Sequence, residues 1–133
     1  MAFEYPDNLQ YTDTHEYLKI DGDIITIGIT EFAIDQLGDV VFLELPELGD
    51  NVESGEKFGT IESVKAVEDL KSPVDGEVLE RNDQLLDAPE QIADDPYGDG
   101  WLIRVKADNI DNLDDDDMMT ADEYTEQVEG VSD

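Results

Sequence analysis

The stretch FGTIESVKAVEDLKSP, residues Phe58–Pro73, decides the fold. Four of its apolar residues fall at every third position, as they would on one face of a helix: Ile61, Val64, Val67 and Leu70. Gly59 near its start and Pro73 at its end leave two segments too short for a stable helix, and Val and Ile favour strands. The stretch therefore predicts a β-hairpin whose tip lies near Val64 and Lys65.

A lysine at a hairpin tip is ordinarily an exposed turn residue that contributes solubility. Here Lys65 lies between Val64 and Ala66, where turn chemistry favours Gly, Asn or Asp. The acids around it offer only surface ion pairs, worth about 0–1 kcal/mol each. The whole chain also has only 7 Lys and Arg residues beside 37 Asp and Glu residues. These features indicate that Lys65 is retained for its amine, as a site of covalent modification on a rigid corner.

Short elements are predicted on the N-terminal side of this hairpin. Apolar and polar residues alternate on both sides of Asp21-Gly22, which predicts a hairpin with a two-residue turn. Thr30 as N-cap and Gly38 as C-terminal stop delimit a short helix, and a strand follows from Val40.

The C-terminal side continues in the same style, with a strand at GEVLERN, a helical turn from Pro89, and a strand at WLIRVKA with Trp101, Ile103 and Val105 on one side. A final helix over about 120–129 is capped by Thr120. Without a βαβ rhythm, the pattern predicts one domain over residues 1–133 that is a mostly antiparallel β-sandwich or barrel. Its core is expected over about 11–107, followed by an acidic extension that carries the helix.

The net charge of −30 and pI near 4.1 come from acids scattered along the chain. This distribution favours a surface adapted to a concentrated salt cytoplasm over an acidic mimic of a partner. It disfavours nucleic acid and anionic membranes as partners, because no basic patch would neutralise phosphates. The one run of acids, Asp114–Asp117, lacks the ligand spacing of a hard-cation site.

The chain has no cysteine and one histidine, which excludes disulfides, thiolate chemistry and a multi-histidine metal site. No signal sequence or run of about 18 apolar residues is evident, so we expect a soluble cytoplasmic protein.

Five blocks from Tyr11 to Lys106 resemble, in order, the H-protein family of the glycine cleavage system, a family of small lipoyl carriers with the barrel-sandwich hybrid fold: YTDTHEY, IGITEFAIDQLGD, VFLELPELG, GEKFGTIESVKAVEDLKSPVDGEV and DPYGDGWLIRVK. The tip ESVKA differs from the tips of related carriers. Biotin carriers place the lysine between methionines, and lipoyl domains of 2-oxo acid dehydrogenases typically have Asp-Lys-Ala.

The resemblance implies that lipoic acid is amide-linked to Lys65 and that the protein is a carrier, not an enzyme. It would take an aminomethyl group from glycine decarboxylase (P protein) to the aminomethyltransferase (T protein), and electrons to dihydrolipoamide dehydrogenase (L protein). A lipoylating enzyme is a further implied partner. An H-like protein that donates lipoyl groups to other complexes remains an alternative.

The resemblance also implies site residues. Thr14, Glu16 and Asp69 would line a cleft that holds the loaded arm, and Glu62 would be recognised by the lipoylating enzyme. Each has a plainer interpretation, since Thr14 would also cap a turn and the acids would also be solvated surface residues.

Other positions are given structural roles. For His15, packing or hydrogen bonding is favoured over a general base, because the motif contains no nucleophile or second titrating partner. Gly59 and Gly76 are expected to permit the turns that shape the hairpin. Tyr17 stands where the family usually has Trp, which preserves an aromatic plug with an added hydroxyl.

Two rival functions make different predictions. An enzyme using Glu62 and Asp69 for acid–base chemistry would be active without modification. A structural module with an incidental lysine would show no added mass on Lys65.

Overall fold

The computed structural model describes residues 5–6, 8–12, 15–98, 100–107 and 119–130, which form two antiparallel sheets with short helices around them. The strands are β1 (Gln10–Tyr11), β2 (Glu16–Asp21), β3 (Ile24–Ile29), β4 (Val40–Glu44), β5 (Asn51–Val52), β6 (Lys57–Ser63), β7 (Val67–Lys71), β8 (Gly76–Arg81) and β9 (Ile103–Ala107). The helices are α1 (Glu31–Leu37), α2 (Asp83–Asp87), a 3-10 helix (Pro89–Ala93) and α3 (Ala121–Gly130). The mostly β, antiparallel prediction is confirmed.

The larger sheet has the strand order β1-β2-β3-β9-β8-β5. Its first predicted hairpin is present, but the turn lies one residue later than predicted. Asp21 still pairs with Ile24, so the turn residues are Gly22 and Asp23. Gly22 alone of the two has a positive φ, 64°, which is the pattern of a type II′ turn.

Helix α1 has the predicted boundaries because each of its ends is capped by the residue next to it in the chain. The hydroxyl of Thr30 accepts the N–H of Ala33 at 3.2 Å. Gly38, at φ 80°, donates its N–H to the carbonyl of Ile34 at 3.0 Å. The helix buries Ile34 and Leu37 against the core.

The smaller sheet has the order β4-β6-β7, and its β6–β7 hairpin confirms the prediction for Phe58–Pro73. The predicted role of Gly59 and Gly76 is wrong, since neither has a positive φ. A Cβ on Gly59 would overlap the carbonyl oxygen of Glu44, and one on Gly76 would overlap that of Lys106. These glycines allow neighbouring strands to approach closely.

The main core lies between the two sheets and is closed by α1, α2 and the 3-10 helix, which contribute Ile34, Leu85 and Ile92. Ile103 and Val105 of β9 are buried there, as predicted. Trp101 does not continue their row, because the strand begins only at Ile103. Its half-buried ring lies under the guanidinium of Arg104, 4.2 Å from the ring centroid.

A second cluster at one end of the larger sheet holds the C-terminal helix, which begins one residue after the predicted Thr120 cap. Thr120 and Glu123 form a reciprocal capping box, with bonds of 3.2 and 3.0 Å. The face of α3 with Tyr124 and Val128 is buried against Tyr11 of β1. The C-terminal helix is therefore held against the larger sheet by the packing of Tyr124 on Tyr11.

Among the described helices, none has the length and apolar character needed to cross a bilayer. The described residues also contain no group of three or more His, Asp or Glu side chains placed to hold a metal ion. The acidic run Asp114–Asp117, for which no hard-cation site was predicted, lies outside the described residues.

Candidate functional site

Lys65 lies at the exposed tip of the β6–β7 hairpin, in the three-residue loop Val64–Ala66 that follows Ser63. The hydroxyl of Ser63 accepts the N–H groups of Lys65 and Ala66 at 3.3 and 3.1 Å. The N–H of Val64 donates to the carbonyl of Asp39 at 3.1 Å, which ties the tip to the residue preceding β4. The loop is thus held without glycine, and its lysine projects from a fixed corner.

A cleft of about 410 Å³ begins beside this tip, between α1 and the hairpin. Ala66 lines it directly. The aliphatic stem of Lys65 passes the end of α1, where a Cβ built on Gly38 would lie 3.7 Å from Lys65 Cε. The cleft walls are apolar, and polar side chains are set among them: Ile29, Phe32, Ala33, Leu37, Ile61 and Leu70, with His15, Glu16, Gln36, Glu68 and Asp69.

Glu16 is the buried carboxylate of the cleft, with only 2% of its surface exposed. One oxygen accepts the hydroxyl of Thr12 at 2.8 Å, and the other accepts the backbone N–H of Lys71 at 3.4 Å. Because burying a charge is costly without hydrogen bonds, these contacts help to keep an anion in this wall.

Asp69 also lines the cleft but is held differently. Its side chain is 56% exposed, and one carboxylate oxygen lies 3.5 Å from the ammonium of Lys57. Glu62 is not a cleft residue; it is half-buried in β6 between Phe42 of β4 and Val67 of β7. The structure thus brings Glu16 and Asp69 together beside Lys65, and places Glu62 three residues before it.

Thr14, the remaining predicted cleft residue, lies outside the described residues. His15 next to it lines the cleft and makes the predicted hydrogen bond, in which Nδ1 lies 2.6 Å from the hydroxyl of Tyr124. Its φ of 73° is the only positive value among the described non-glycine residues. The sequence reasoning did not place His15 in the cleft.

Phe32 and Gln36 were also missed. Both lie on α1 and line the cleft. Their four-residue spacing within the predicted helix, next to the apolar face carried by Ala33 and Leu37, was the available indication.

Two buried tyrosines, Tyr17 and Tyr124, have raised pKa values. Burial raises the pKa of Tyr17 well above its ordinary value, and the hydroxyl donates to the carbonyl of Pro96 at 2.7 Å. Tyr17 is thus the predicted aromatic plug with a bonded hydroxyl. Burial likewise raises the pKa of Tyr124, although the hydrogen bond with Thr30 opposes the shift. Both phenols therefore keep their protons at neutral pH.

Comparison with known proteins agrees with this geometry. The sequence model of the family described as "Glycine cleavage H-protein" matches residues 9–131. The chain belongs to the glycine cleavage H-protein family. Two similar curated relatives are the glycine cleavage system H proteins of Trichormus variabilis and Gloeothece citriformis. The first is 60% identical over 129 residues, covering 97% of this chain and 98% of the relative. The second is 63% identical over 130 residues and covers 98% of each chain.

A solved structure shows the same likeness in three dimensions. The crystal structure of a glycine cleavage system H protein from Mycobacterium marinum matches with a TM-score of 0.85 and 40% identity, over 94% of this chain and 99% of that one. This match confirms the fold predicted by the resemblance, the barrel-sandwich hybrid. Membership of the H-protein family also confirms the predicted carrier role in the glycine cleavage system, in which H proteins carry lipoate.

Proposed function

We propose that Lys65 is the lipoyl attachment site of this carrier, and that the cleft beside it shelters the arm after loading. The observation that carries the proposal is the juxtaposition of an exposed amine on a fixed hairpin tip with a cleft that starts at the next residue, Ala66. A swinging arm needs both, since it must reach partner enzymes and also be protected between visits.

The cleft fits such an arm in size and chemistry. Its volume of about 410 Å³ lies within the roughly 300–1,000 Å³ typical of small-molecule sites. Its apolar walls suit a hydrocarbon chain, and its carboxylates suit a cargo that ends in an amine. When bound, the lipoyl group supplies a dithiolane, the redox-active sulfur that this cysteine-free chain lacks.

The residues of the chain then have distinct roles. Glu16 holds the amine of the cargo by a charge-assisted hydrogen bond from within the buried wall, and Asp69 adds a weaker contact at the exposed rim. Thr14, which precedes His15 in the sequence, is the third residue proposed to bind the loaded arm. Glu62 is recognised by the lipoylating enzyme, because it lies on the strand that leads to the tip.

Chemistry at the arm belongs to the partner enzymes, so the carrier itself is not an enzyme. Glycine decarboxylase loads an aminomethyl group, the folate-dependent aminomethyltransferase removes the carbon and releases ammonia, and dihydrolipoamide dehydrogenase restores the disulfide with NAD. Each partner must reach the Lys65 corner, which the hairpin leaves exposed.

A matched pair of lysine variants tests the attachment site. Lys65→Arg and Lys71→Arg each change an exposed lysine of this hairpin, at its tip and at the end of β7 respectively. After incubation with a lipoylating enzyme, wild type and Lys71→Arg should gain one lipoyl mass and support NADH formation with the three partner enzymes, whereas Lys65→Arg should do neither. Lipoylation or activity of Lys65→Arg would contradict the proposal.

The acidic surface carries a second proposal, adaptation to a concentrated salt cytoplasm. A net charge of −30 repels itself in dilute buffer, and the Debye length falls from about 10 Å at 0.1 M salt to about 3 Å at 1 M. The free energy of unfolding should therefore rise between 0.1 and 2 M KCl. A flat or falling dependence would contradict the adaptation.

A further inference from the structure

The C-terminal helix meets the cleft through one hydroxyl group. The hydroxyl of Tyr124 lies 2.6 Å from Nδ1 of His15 and 2.8 Å from the hydroxyl of Thr30. We call these three groups, Thr30 Oγ1, Tyr124 Oη and His15 Nδ1, the hydroxyl chain. Its two ends belong to the cleft, since His15 lines the cavity and Thr30 caps α1, which forms one wall.

Matching each hydroxyl proton to an acceptor shows in which direction the hydrogen bonds of the hydroxyl chain are donated. Thr30 and Tyr124 are each 0% exposed, so neither hydroxyl can donate to bulk water. Thr30 Oγ1 already accepts the N–H of Ala33, and the acceptor that the described part of the chain places within its reach is the hydroxyl of Tyr124. If Thr30 donates to Tyr124, then Tyr124 donates to His15, and both hydroxyl protons are satisfied.

The opposite direction would leave a buried proton without an acceptor. With Nδ1 of His15 protonated, the imidazole would donate to Tyr124, and Tyr124 would turn its proton to Thr30. The hydroxyl proton of Thr30 would then have no acceptor among the described residues. An unsatisfied buried donor carries a desolvation penalty. The satisfied direction requires an unprotonated Nδ1, so neutral His15 carries its proton on Nε2.

We propose that Tyr124 is a positioning residue of the arm-binding cleft, whose hydroxyl holds His15 in the Nε2–H tautomer and fixes the first turn of α1 beside it. Where it concerns the arm, this inference rests on the function proposed above. Tyr124 does not line the cleft itself and acts through two residues that form or position its walls.

The surrounding contacts show why this position needs a support. His15 occupies the left-handed region at φ 73°, a conformation that persists only when neighbouring structure imposes it. Its carbonyl accepts the N–H of Thr30 at 3.0 Å. His15 and Thr30 are therefore connected twice, once by this backbone hydrogen bond and once through the hydroxyl chain. The His15 ring also lies 5.0 Å from that of Phe32, the first cleft-lining residue of α1.

Helix α3 is anchored well enough to act as this support. The ring of Tyr11 stacks on that of Tyr124 with centroids 5.0 Å apart and an interplanar angle of 18°. Tyr11 and Met119 exchange two backbone hydrogen bonds of 2.9 and 2.7 Å, just before the helix begins. The phenol therefore approaches the cleft from a fixed direction.

The test uses the fact that His15 is the only histidine in the chain. Its two ring nitrogens can be assigned without ambiguity by long-range proton–nitrogen NMR of the unmodified protein, at a pH where the same spectra show the ring neutral. Wild type should have the proton on Nε2 and a slowly exchanging Tyr124 hydroxyl proton coupled to Nδ1. A protonated Nδ1 in wild type would overturn the proposal, and this measurement needs no variant.

Tyr124→Phe removes the hydroxyl, and Tyr11→Phe is its matched control. Tyr11 is also 0% exposed in the same cluster, but its hydroxyl donates to the carbonyl of Pro6 at 2.7 Å and not to the hydroxyl chain. The ratio of Nε2–H to Nδ1–H tautomer should fall at least about five-fold in Tyr124→Phe, the effect of one hydrogen bond, and stay constant in Tyr11→Phe. An unchanged ratio in Tyr124→Phe, or an equal fall in both variants, would overturn the positioning role.

The loaded carrier gives the functional readout. With no transferase present, water hydrolyses the aminomethyl group of the loaded arm to ammonia and formaldehyde and leaves the thiol. This ammonia release should be about five-fold faster in Tyr124→Phe than in Tyr11→Phe. Equal release in the two variants would overturn the positioning role. If wild type releases ammonia as fast as a carrier whose cleft is destroyed by unfolding, the function proposed for the cleft fails, while the tautomer measurement still decides the hydroxyl chain.

Discussion

Exchanging Glu16 for Gln removes the buried negative charge of the cleft and keeps the shape of the side chain. The donors that face this carboxylate in the wild-type protein include the hydroxyl of Thr12 and the backbone N–H of Lys71. An amide has only one oxygen, so its NH₂ group would oppose one of them. We therefore expect Glu16→Gln to lower the free energy of unfolding by about 1–3 kcal/mol, the cost of one unsatisfied buried donor.

The larger expected effect is on the loaded arm. A hydrogen bond to a charged group contributes about 1.5–3 kcal/mol, and about 1.4 kcal/mol is a factor of ten, so Glu16→Gln should speed loss of the cargo roughly 10- to 150-fold. Asp69 differs because its side chain is 56% exposed and lies 3.5 Å from Lys57. A surface contact of this kind contributes about 0–1 kcal/mol, so Asp69→Asn should change the rate by at most about five-fold.

The assay loads each carrier with isotopically labelled glycine and the decarboxylase, removes the enzyme, and follows ammonia release without transferase. Urea unfolding, followed by the fluorescence of the single tryptophan Trp101, identifies conditions in which each variant is folded. The reasoning would be refuted if Glu16→Gln released its cargo at the wild-type rate, or if Asp69→Asn had the larger effect.

Three further predictions concern other parts of the molecule. Glu62→Gln should slow lipoylation of Lys65 several-fold without changing stability, while Glu77→Gln, on the other sheet, should not; equal rates would remove Glu62 from recognition. Gly28→Ala should lower the free energy of unfolding by about 1–3 kcal/mol, because the new Cβ would lie 2.5 Å from the buried ring of Tyr17, and a wild-type urea midpoint would contradict this. Burial raises the pKa of Tyr17 and of Tyr124 in the folded state, so the unfolded state loses these protons first as the pH rises. Stability from these groups should be complete below about pH 10 and fall above it, by up to about 1.4 kcal/mol per pH unit for each tyrosine, and urea midpoints that rise between pH 10 and 11.5 would contradict the sign.

The elements that were predicted correctly depend on residues that are close in the chain. Thr30 and Gly38 delimit α1, and Thr120 caps the start of α3, because caps act within one helical turn. The β6–β7 hairpin was predictable because Gly59 and Pro73 interrupt an otherwise helical spacing. Here local preference and tertiary structure agree.

The elements that were missed depend on partners that are distant in the chain. Strands β1 and β5 have two residues each, too few for any periodicity, and are strands because β2 and β8 pair with them. The role of Gly59 was misjudged because the carbonyl it accommodates belongs to β4.

The candidate site divides in the same way. Lys65 was singled out by its apolar neighbours Val64 and Ala66 at the predicted tip. Glu16 and Asp69 were named only through the family resemblance, which carries tertiary information that composition and spacing do not. The contact of His15 with Tyr124 joins residues 109 positions apart, and no local pattern predicts it.

Peptide mass spectrometry of the protein purified from its own cells, grown while glycine is being degraded, tests the central claim most directly. The account predicts a lipoyl mass on the peptide that contains Lys65 and on no peptide that contains another lysine. An unmodified Lys65 peptide under these conditions would contradict it, and the exposed lysine would then be an ordinary turn residue.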